Sequence, residues 1–384
     1  MRGFPTKEYQ KRVLKLQKKM QTNNMDAILI TSPHNFRYFT GLDSYFWESP
    51  TRPWFLLIPQ SDDPIAVVPS IGETTLNKTW ITQIYTWPSP QPQDEGVSVI
   101  TNCIKKVISN NGNIGCEIGR ESHLRMSIND FDKLRKNISN CNFVNASELI
   151  WQLRIIKSPD EIIKIKKIIS IASDVFDKLP NHIKVGMTEI EICNIFKKML
   201  LDRGADHTLY MSCASGEGGY DQIICEPTEK KLTDGEILII DTGTTLDGYF
   251  CDFDRNYGFG NIKKEVHDAY STLWEASERA FEKAKPGFTC TDISNVMNSV
   301  LNKSNLTNNS VGRMGHGLGL QLTEPPSIMH SDNTVLKENM ILTIEPCYEY
   351  IQGKMLVIEE NILITKNGYE LLSSRTPRQL PIIN

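Results

Sequence analysis

The stretch Ile237–Arg255, ILIIDTGTTLDGYFCDFDR, decides how the rest of the chain is read. Its opening run, Ile237-Leu238-Ile239-Ile240, has the unbroken apolar character of a buried strand, and Asp241 follows at once. A carboxylate at the end of a buried strand is costly unless something compensates it. Leu246-Asp247-Gly248-Tyr249 reads as a hairpin turn whose glycine can take φ > 0, and the chain returns through Phe250-Cys251 to Asp252. If the two strands pair, Asp241 and Asp252 face one side of the sheet. Two carboxylates held together away from water repel one another, and a divalent cation relieves that repulsion. On this stretch alone, two solvated loop aspartates explain the pattern equally well.

Three later segments break the tie. Arg313-Met314-Gly315-His316-Gly317-Leu318-Gly319-Leu320 sets one histidine among glycines, where backbone can approach closely and an imidazole can reach a metal. Met340–Pro346, MILTIEP, ends an apolar strand on Glu345. Leu356–Ile364, LVIEENILI, carries Glu359 and Glu360 inside a third apolar strand. Each alone is weak, because lone histidines and strand acids are commonly structural. Together they supply two Asp, one His and two Glu, a hard, oxygen-rich donor set suited to a pair of divalent ions.

This ordered series, D-x(10)-D, GHGxG, IEP and IEEN, resembles the creatinase/prolidase/aminopeptidase P superfamily. The resemblance covers nearly the whole chain and implies an α+β architecture: a small α/β creatinase-like N-terminal domain over residues 1–152, then a pita-bread catalytic domain over 153–384. It implies Asp241, Asp252, His316, Glu345 and Glu359 as ligands of two divalent ions (Mn, Fe, Co or Zn). Glu359 is preferred to Glu360 because the family's ligand precedes a second acid in this strand. The family further implies a homodimer in which the N-terminal domain reaches the partner's active site.

Two departures from the peptidases shape the functional expectation. Prolidases and aminopeptidases P carry a histidine roughly a dozen residues before the Gly-Asp/Glu that opens the metal strand. Here that opening is Gly235-Glu236, the position falls near Ile224, and no histidine lies between His207 and His267. A second family histidine, in GHGxGxxxHExP, is replaced by Thr323. Those imidazoles hold the scissile oxygen, and their loss weakens a peptidase reading. A retained metal set without them resembles the dimethylsulfoniopropionate lyases of this fold. The expectation is therefore a metal-dependent carbon–sulfur lyase acting on a small zwitterion. Glu324, Tyr220, Asp221 or Asp247 are the candidates for the base. The alternative is a metal-dependent C–N hydrolase, of Xaa-Pro dipeptidase, aminopeptidase P or ectoine/creatine type. A metal-free scaffold is a third reading, disfavoured by the intact ligand set.

The N-terminal half carries one unusual segment, Ser44–Phe55, SYFWESPTRPWF. Tyr45 and Phe55 read as rings pinned onto the core. Phe46 and Trp47 offer π faces to a cation, Arg52 a partner for a carboxylate and Asp221 a further substrate contact. Elsewhere the spacing predicts helices over 6–24 and 161–179, strands over 26–31, 54–58 and 65–68, and a capping box at Thr188-x-x-Glu191 that opens a helix to about Asp202.

Composition narrows the partners. A net charge of −4 over 384 residues argues against nucleic acid. Nine scattered cysteines without a C-x-x-C pair fit reduced thiols in a cytoplasmic protein. No run approaches membrane-spanning length, so no membrane partner is expected.

Overall fold

The computed structural model describes residues 2–49, 52–108, 111–301 and 312–383. The chain divides into two compact units, Met1–Arg154 and Ile155–Asn384.

The first unit is built on a six-stranded sheet of β1 (Ala27–Ile30), β2 (Phe55–Pro59), β3 (Ile65–Pro69), β4 (Gln83–Trp87), β5 (Asn113–Cys116) and β6 (Asn142–Asn145), in the order β4-β3-β2-β1-β5-β6. The strands β1 to β3 pair antiparallel, and β4, β5 and β6 join in parallel. Every residue of β1, β2 and β3 is buried, which is why these segments read as unbroken apolar runs. The first helix, Thr6–Thr22, buries the stripe Tyr9, Val13, Leu16 and Met20. It ends short of residue 24 because Asn23 is its C-cap and Asn24 takes φ 52.

The aromatic segment is a short 3-10 helix, Tyr45–Glu48; Pro50 and Thr51 lie outside the described residues. Its rings are distributed differently from expectation. Tyr45 is 81% exposed, whereas Trp47 packs on Phe36 and Trp54, and Phe46 leans on Trp54. The guanidinium of Arg125 lies over Trp47 and donates to the carbonyls of Trp47 (2.7 Å), Ser49 (3.0 Å) and Arg52 (3.1 Å). Arg52 lies over the Phe46 ring. Phe46, Trp47 and Arg52 are partly buried and make these contacts within their own domain.

The second unit places strands in two sheets and a ribbon. The first sheet holds β7 (His207–Glu217), β8 (Glu236–Leu246), β9 (Tyr249–Phe250), β10 (Phe253–Phe259) and β18 (Ile382–Ile383), ordered β18-β10-β8-β7 with β9 against β8. The second runs β12 (Glu324–Ser327), β11 (His316–Gly317), β13 (Ile341–Ile344), β16 (Glu360–Ile364), β17 (Tyr369–Leu371). The ribbon pairs β14 (Cys347–Ile351) with β15 (Lys354–Val357). Helices Pro159–Lys178 and Glu189–Asp202 start at capping boxes, Ser158 with Glu161 and Thr188 with Glu191. Helices Lys264–Lys283 and Cys290–Leu301 pack their buried faces into one core with Ile237, Ile239, Leu342, Ile344, Leu356 and Ile362.

Two expected strands are interrupted, and the interruptions matter. The 340–346 segment stops being a strand after Ile344, and 356–364 is broken between Val357 and Glu360. At both places the chain leaves one sheet for another: β13 and β16 pair with each other, as do β14 and β15. Glu345 and Glu359 occupy the two breaks. A side chain at a break escapes the alternation of a pleated strand and can turn into the space between sheets.

Candidate metal centre

Asp241 lies within β8 rather than at its end, because the strand continues to Leu246 with neighbours on both sides: Asp241 stands opposite Ser212 of β7 and Asp254 of β10. It shares its face with Ile239, two residues earlier. The turn after Leu246 forms with Asp247 at φ 50 and Gly248 at φ 77, the left-handed pair a tight hairpin needs. Asp252 follows between β9 and β10, and the amide of Asn361 clamps its backbone, accepting from Asp252 N at 3.2 Å and donating to its carbonyl. Gly315, at φ 132, lets the chain pass so close to Thr343 that an added Cβ would sit 2.3 Å from its carbonyl oxygen. That approach seats His316, whose backbone N donates to Thr343 Oγ1 at 3.1 Å.

These elements bring Asp241, Asp252, His316, Glu345 and Glu359 to the wall of one cavity of about 240 Å³. Ligand atoms of Asp252, His316 and Glu359 lie within 4.8 Å of one another. Neighbouring Glu360 goes the other way: it is bound by Arg255 Nη2 (3.0 Å), Arg375 Nη1 (3.1 Å) and Thr376 N (2.7 Å), and by Ser373 Oγ.

Charged carboxylates are costly in this cavity, a cost that bound protons or a cation would relieve. Burial pushes the Asp241 carboxyl up to about 7. Burial and then the repulsion of Asp241 push Glu345 up to about 8. Asp252 and Glu359 are driven well above the usual carboxylate range, first by burial and then by the other acids. Asp241 Oδ1 and Glu359 Oε1 are buried with no hydrogen-bond donor. His316 completes the argument. Its Nδ1 lies 2.8 Å from the Gly317 carbonyl, which can only accept, so Nδ1 carries the proton. Burial holds the ring near 4, hence neutral, and its Nε2 lone pair faces Asp252 Oδ2 at 3.4 Å. The Nε2 lone pair turned toward Asp252, beside orphaned carboxylate oxygens, makes a donor set that suits a hard divalent ion. The residues present therefore fit such ions.

The other candidate site residues are placed elsewhere. Glu324 is 2% exposed and its carboxylate is engaged by Lys157 Nζ (3.2 Å) and Gln321 N (3.1 Å). It packs under Gly319 and is absent from the cavity wall. Tyr220 is buried with its hydroxyl committed to Asn256 Oδ1 (3.1 Å) and Val357 N (2.7 Å), and burial raises its pKa. Asp247 pairs with Lys164 at the hairpin turn, and Asp221 is exposed and off the cavity wall. Glu324, Tyr220 and Asp247 are buried and committed to other partners, and none of the four lines the cavity, which departs from the expectation of a base among them.

Other wall residues were not expected. Tyr210 lines the cavity with its hydroxyl near the Asp241 side chain; burial, then Asp241, raise its pKa. It comes from β7, and only the register of β7 on β8 reveals it. Asp254 adds another buried carboxylate at 2% exposure. Its signal was present, since i and i+2 share a strand face and Asp252 is two residues away. Arg313 and Thr323 also line the cavity, with Ile223, Ile224 and Leu322 forming an apolar part of its wall.

Facing sheets that converge buried acids and one neutral imidazole on a small cavity define a metal-dependent enzyme. Comparison with known proteins gives the family. Residues 163–366 match the metallopeptidase family M24 and residues 12–156 the creatinase/prolidase N-terminal domain, and the chain belongs to the creatinase/prolidase superfamily as a member of family M24 with the pita-bread fold. It is 28% identical to an Xaa-Pro dipeptidase of Lactobacillus helveticus, over 96% of this chain and 98% of that protein. A prolidase from Thermococcus sibiricus superposes with a TM-score of 0.87 at 25% identity, over 97% of this chain and 99% of that one. An X-Pro aminopeptidase from Thermotoga maritima gives 0.81 at 24% identity, covering 97% and 99%, and speaks for the fold alone.

These findings overturn the preference for a carbon–sulfur lyase. The family and the similar proteins are peptidases. The error lay in reading two missing imidazoles as a change of chemistry. Ile224 and Thr323 remove donors from the cavity but leave the acid set intact, and a missing donor by itself does not specify a different reaction.

Proposed function

We propose that the chain is a dinuclear-metal C–N hydrolase of the Xaa-Pro dipeptidase type, with Asp241, Asp252, His316, Glu345 and Glu359 as metal ligands. The observation that supports this most is the pair of donorless buried oxygens, Asp241 Oδ1 and Glu359 Oε1, beside an imidazole that presents its lone pair to Asp252. The ions, when bound, supply Lewis acidity and an activated water.

The chain's own residues do the rest. Tyr210 sets its hydroxyl near the Asp241 carboxylate. Asn361 fixes the backbone of Asp252, and the Gly317 carbonyl fixes the tautomer of His316. Ile223, Ile224 and Leu322 give the cavity an apolar stretch of wall that suits a pyrrolidine ring, with Ile224 at its solvent-exposed rim. We further infer a homodimer with an N-terminal domain serving the partner's site, and a cytoplasmic location, in keeping with nine free cysteines.

The test is proline release from Ala-Pro and Leu-Pro by chain loaded with Mn²⁺, Fe²⁺, Co²⁺ or Zn²⁺ in turn. Turnover that disappears on chelation and returns with metal is expected. No proline above the blank with any of the four ions overturns the reading.

A further inference from the structure

Asp254 is an acid that the ligand set above leaves over. It is 2% exposed and lines the cavity together with Asp241 and Asp252. It stands two residues beyond Asp252, and its partner across the β10–β8 ladder is Asp241 itself. Side chains directly opposite in an antiparallel pair have Cβ atoms about 4.5–5.5 Å apart, and like charges so placed repel. Little in the protein relieves that pairing. Among the described residues the one donor to the Asp254 carboxylate is Asn256 Nδ2 at 3.4 Å, a long bond from an amide that also donates to the Val357 carbonyl at 2.6 Å. The guanidinium of Arg255 pairs with Glu360 Oε2 at 3.0 Å and donates only to the backbone carbonyl of Asp254. On the facing strand, Asp241 Oδ1 is buried without a donor. Two buried acids opposed in this way are a costly arrangement, and a cation in the space they share would relieve it.

The remaining donors say on which side of the cavity that charge belongs. Ligand atoms of Asp252, His316 and Glu359 converge within 4.8 Å, and neither Asp241 nor Asp254 is part of that trio. The cross-strand pairing puts Asp254 on the Asp241 side. Four ionised acids, Asp241, Asp252, Glu345 and Glu359, already match the charge of two divalent ions. Asp254 is a fifth, and its field acts most on a cation held beside Asp241.

We propose that Asp254 is an additional acid of the metal centre that selectively tightens the hold on the divalent ion at the Asp241 side. The proposal rests on the ligand assignment above. It sets binding against stability at one residue: the repulsion that favours the ion destabilises the metal-free fold. A carboxylate that merely fastened β10 would do the opposite, stabilising the chain with or without metal.

The experiment uses the full-length chain as wild type, Asp254→Asn and Asp254→Glu. Mn²⁺ binding to chelated and dialysed protein is followed by calorimetry, which resolves the two ions, and melting temperatures are recorded with EDTA and with saturating Mn²⁺. Neither readout needs turnover. In Asp254→Asn one ion should bind about 10- to 100-fold more weakly, the range for an outer partner of a metal site, while the other binds as in wild type. The metal-free melting temperature of Asp254→Asn should rise by a few degrees, because an amide of the same shape removes the facing charge, and its gain on adding Mn²⁺ should shrink. Asp254→Glu keeps the charge and should hold the weaker ion more tightly than Asp254→Asn does.

Two ions bound to Asp254→Asn with wild-type affinities overturn the proposal. So does a metal-free melting temperature that falls in Asp254→Asn, which would make Asp254 a fastening through Asn256. Equal weakening of both ions overturns the selectivity. If wild type itself takes up no Mn²⁺, the metal centre fails and the proposal with it, whereas failure of Asp254 alone leaves wild type with its two ions.

Discussion

The molecule buries carboxylates in two quite different ways. In the N-terminal unit, Glu117 is 1% exposed and receives Thr31 N (2.6 Å), Ser32 N (2.9 Å), Asn35 Nδ2 (2.6 Å) and the hydroxyls of Thr31 and Ser32. Every lone pair has a donor, and the acid ties β1 to the start of helix Pro33–Thr40. In the C-terminal unit Glu359 is equally buried, yet Glu359 Oε1 has no donor at all. The same contrast holds between adjacent residues, for Glu360 is satisfied by two arginines, a serine and a backbone N. Burial alone therefore distinguishes nothing. A buried acid with donors is a fastening, and a group of buried acids without them is a place for cations.

The sharpest way to break this contrast is to exchange the two kinds of site. Asp252→Ala should lower metal affinity by more than ~100-fold and remove activity with it, since disturbing even outer-shell partners costs 10- to 100-fold. Equilibrium dialysis with Mn²⁺ measures the first and proline release the second. Glu117→Ala should leave metal stoichiometry intact and destabilise the fold by about 3 kcal/mol, because several buried donors lose their acceptor. Urea unfolding of both variants checks the division of labour. A Glu117 variant that loses metal, or an Asp252 variant that keeps it, would erase the distinction.

Gly315→Ala tests the backbone that seats His316. With φ at 132 and a Cβ 2.3 Å from the Thr343 carbonyl, the loop must shift, and metal affinity should fall by about 10-fold. Unchanged affinity would mean that the close approach is incidental.

The two kinds of burial also differ in how stability responds to pH. Asp241 and Glu345 are held at about 7 and about 8 when folded and metal-free. Their unfolded values are near 4, so the folded chain binds more protons across that interval. Stability from these protonated acids is present at low pH and is lost as pH rises through about 7–8. The melting temperature of chelated protein should therefore fall by several degrees between pH 5 and pH 8. With saturating Mn²⁺ the slope should reverse, since the ion replaces the protons. Scanning fluorimetry of both forms shows it, and parallel curves would contradict it.

Much of the donor set was legible in the sequence because acids in apolar strands are expensive and stand out. Asp241 after four apolar residues, and Glu345 and Glu359 in runs of Ile, Leu and Val, carry that signal. What was illegible needed pairing at long range. Glu324 looked like a base because its partner, Lys157, is 167 residues away. Tyr210 gave no local hint, since it reaches Asp241 only through strand register. The aromatic segment was legible only in part: Phe55, expected on the core, is fully buried, whereas Tyr45, expected to be pinned, is exposed, and Trp47 is held by Arg125 from a distant segment. The lyase expectation failed because absences at Ile224 and Thr323 were weighed as a change of chemistry, whereas the family and the similar proteins are peptidases.

The most direct test of a cation site built from unsatisfied acids is elemental analysis of the full chain after Mn²⁺ loading and exhaustive dialysis, beside Glu359→Gln and Glu360→Gln. About two ions per chain are expected in wild type, with a marked loss in Glu359→Gln and retention in Glu360→Gln. Fewer than about half an ion per wild-type chain, or equal losses from the two glutamate variants, would contradict the cation site.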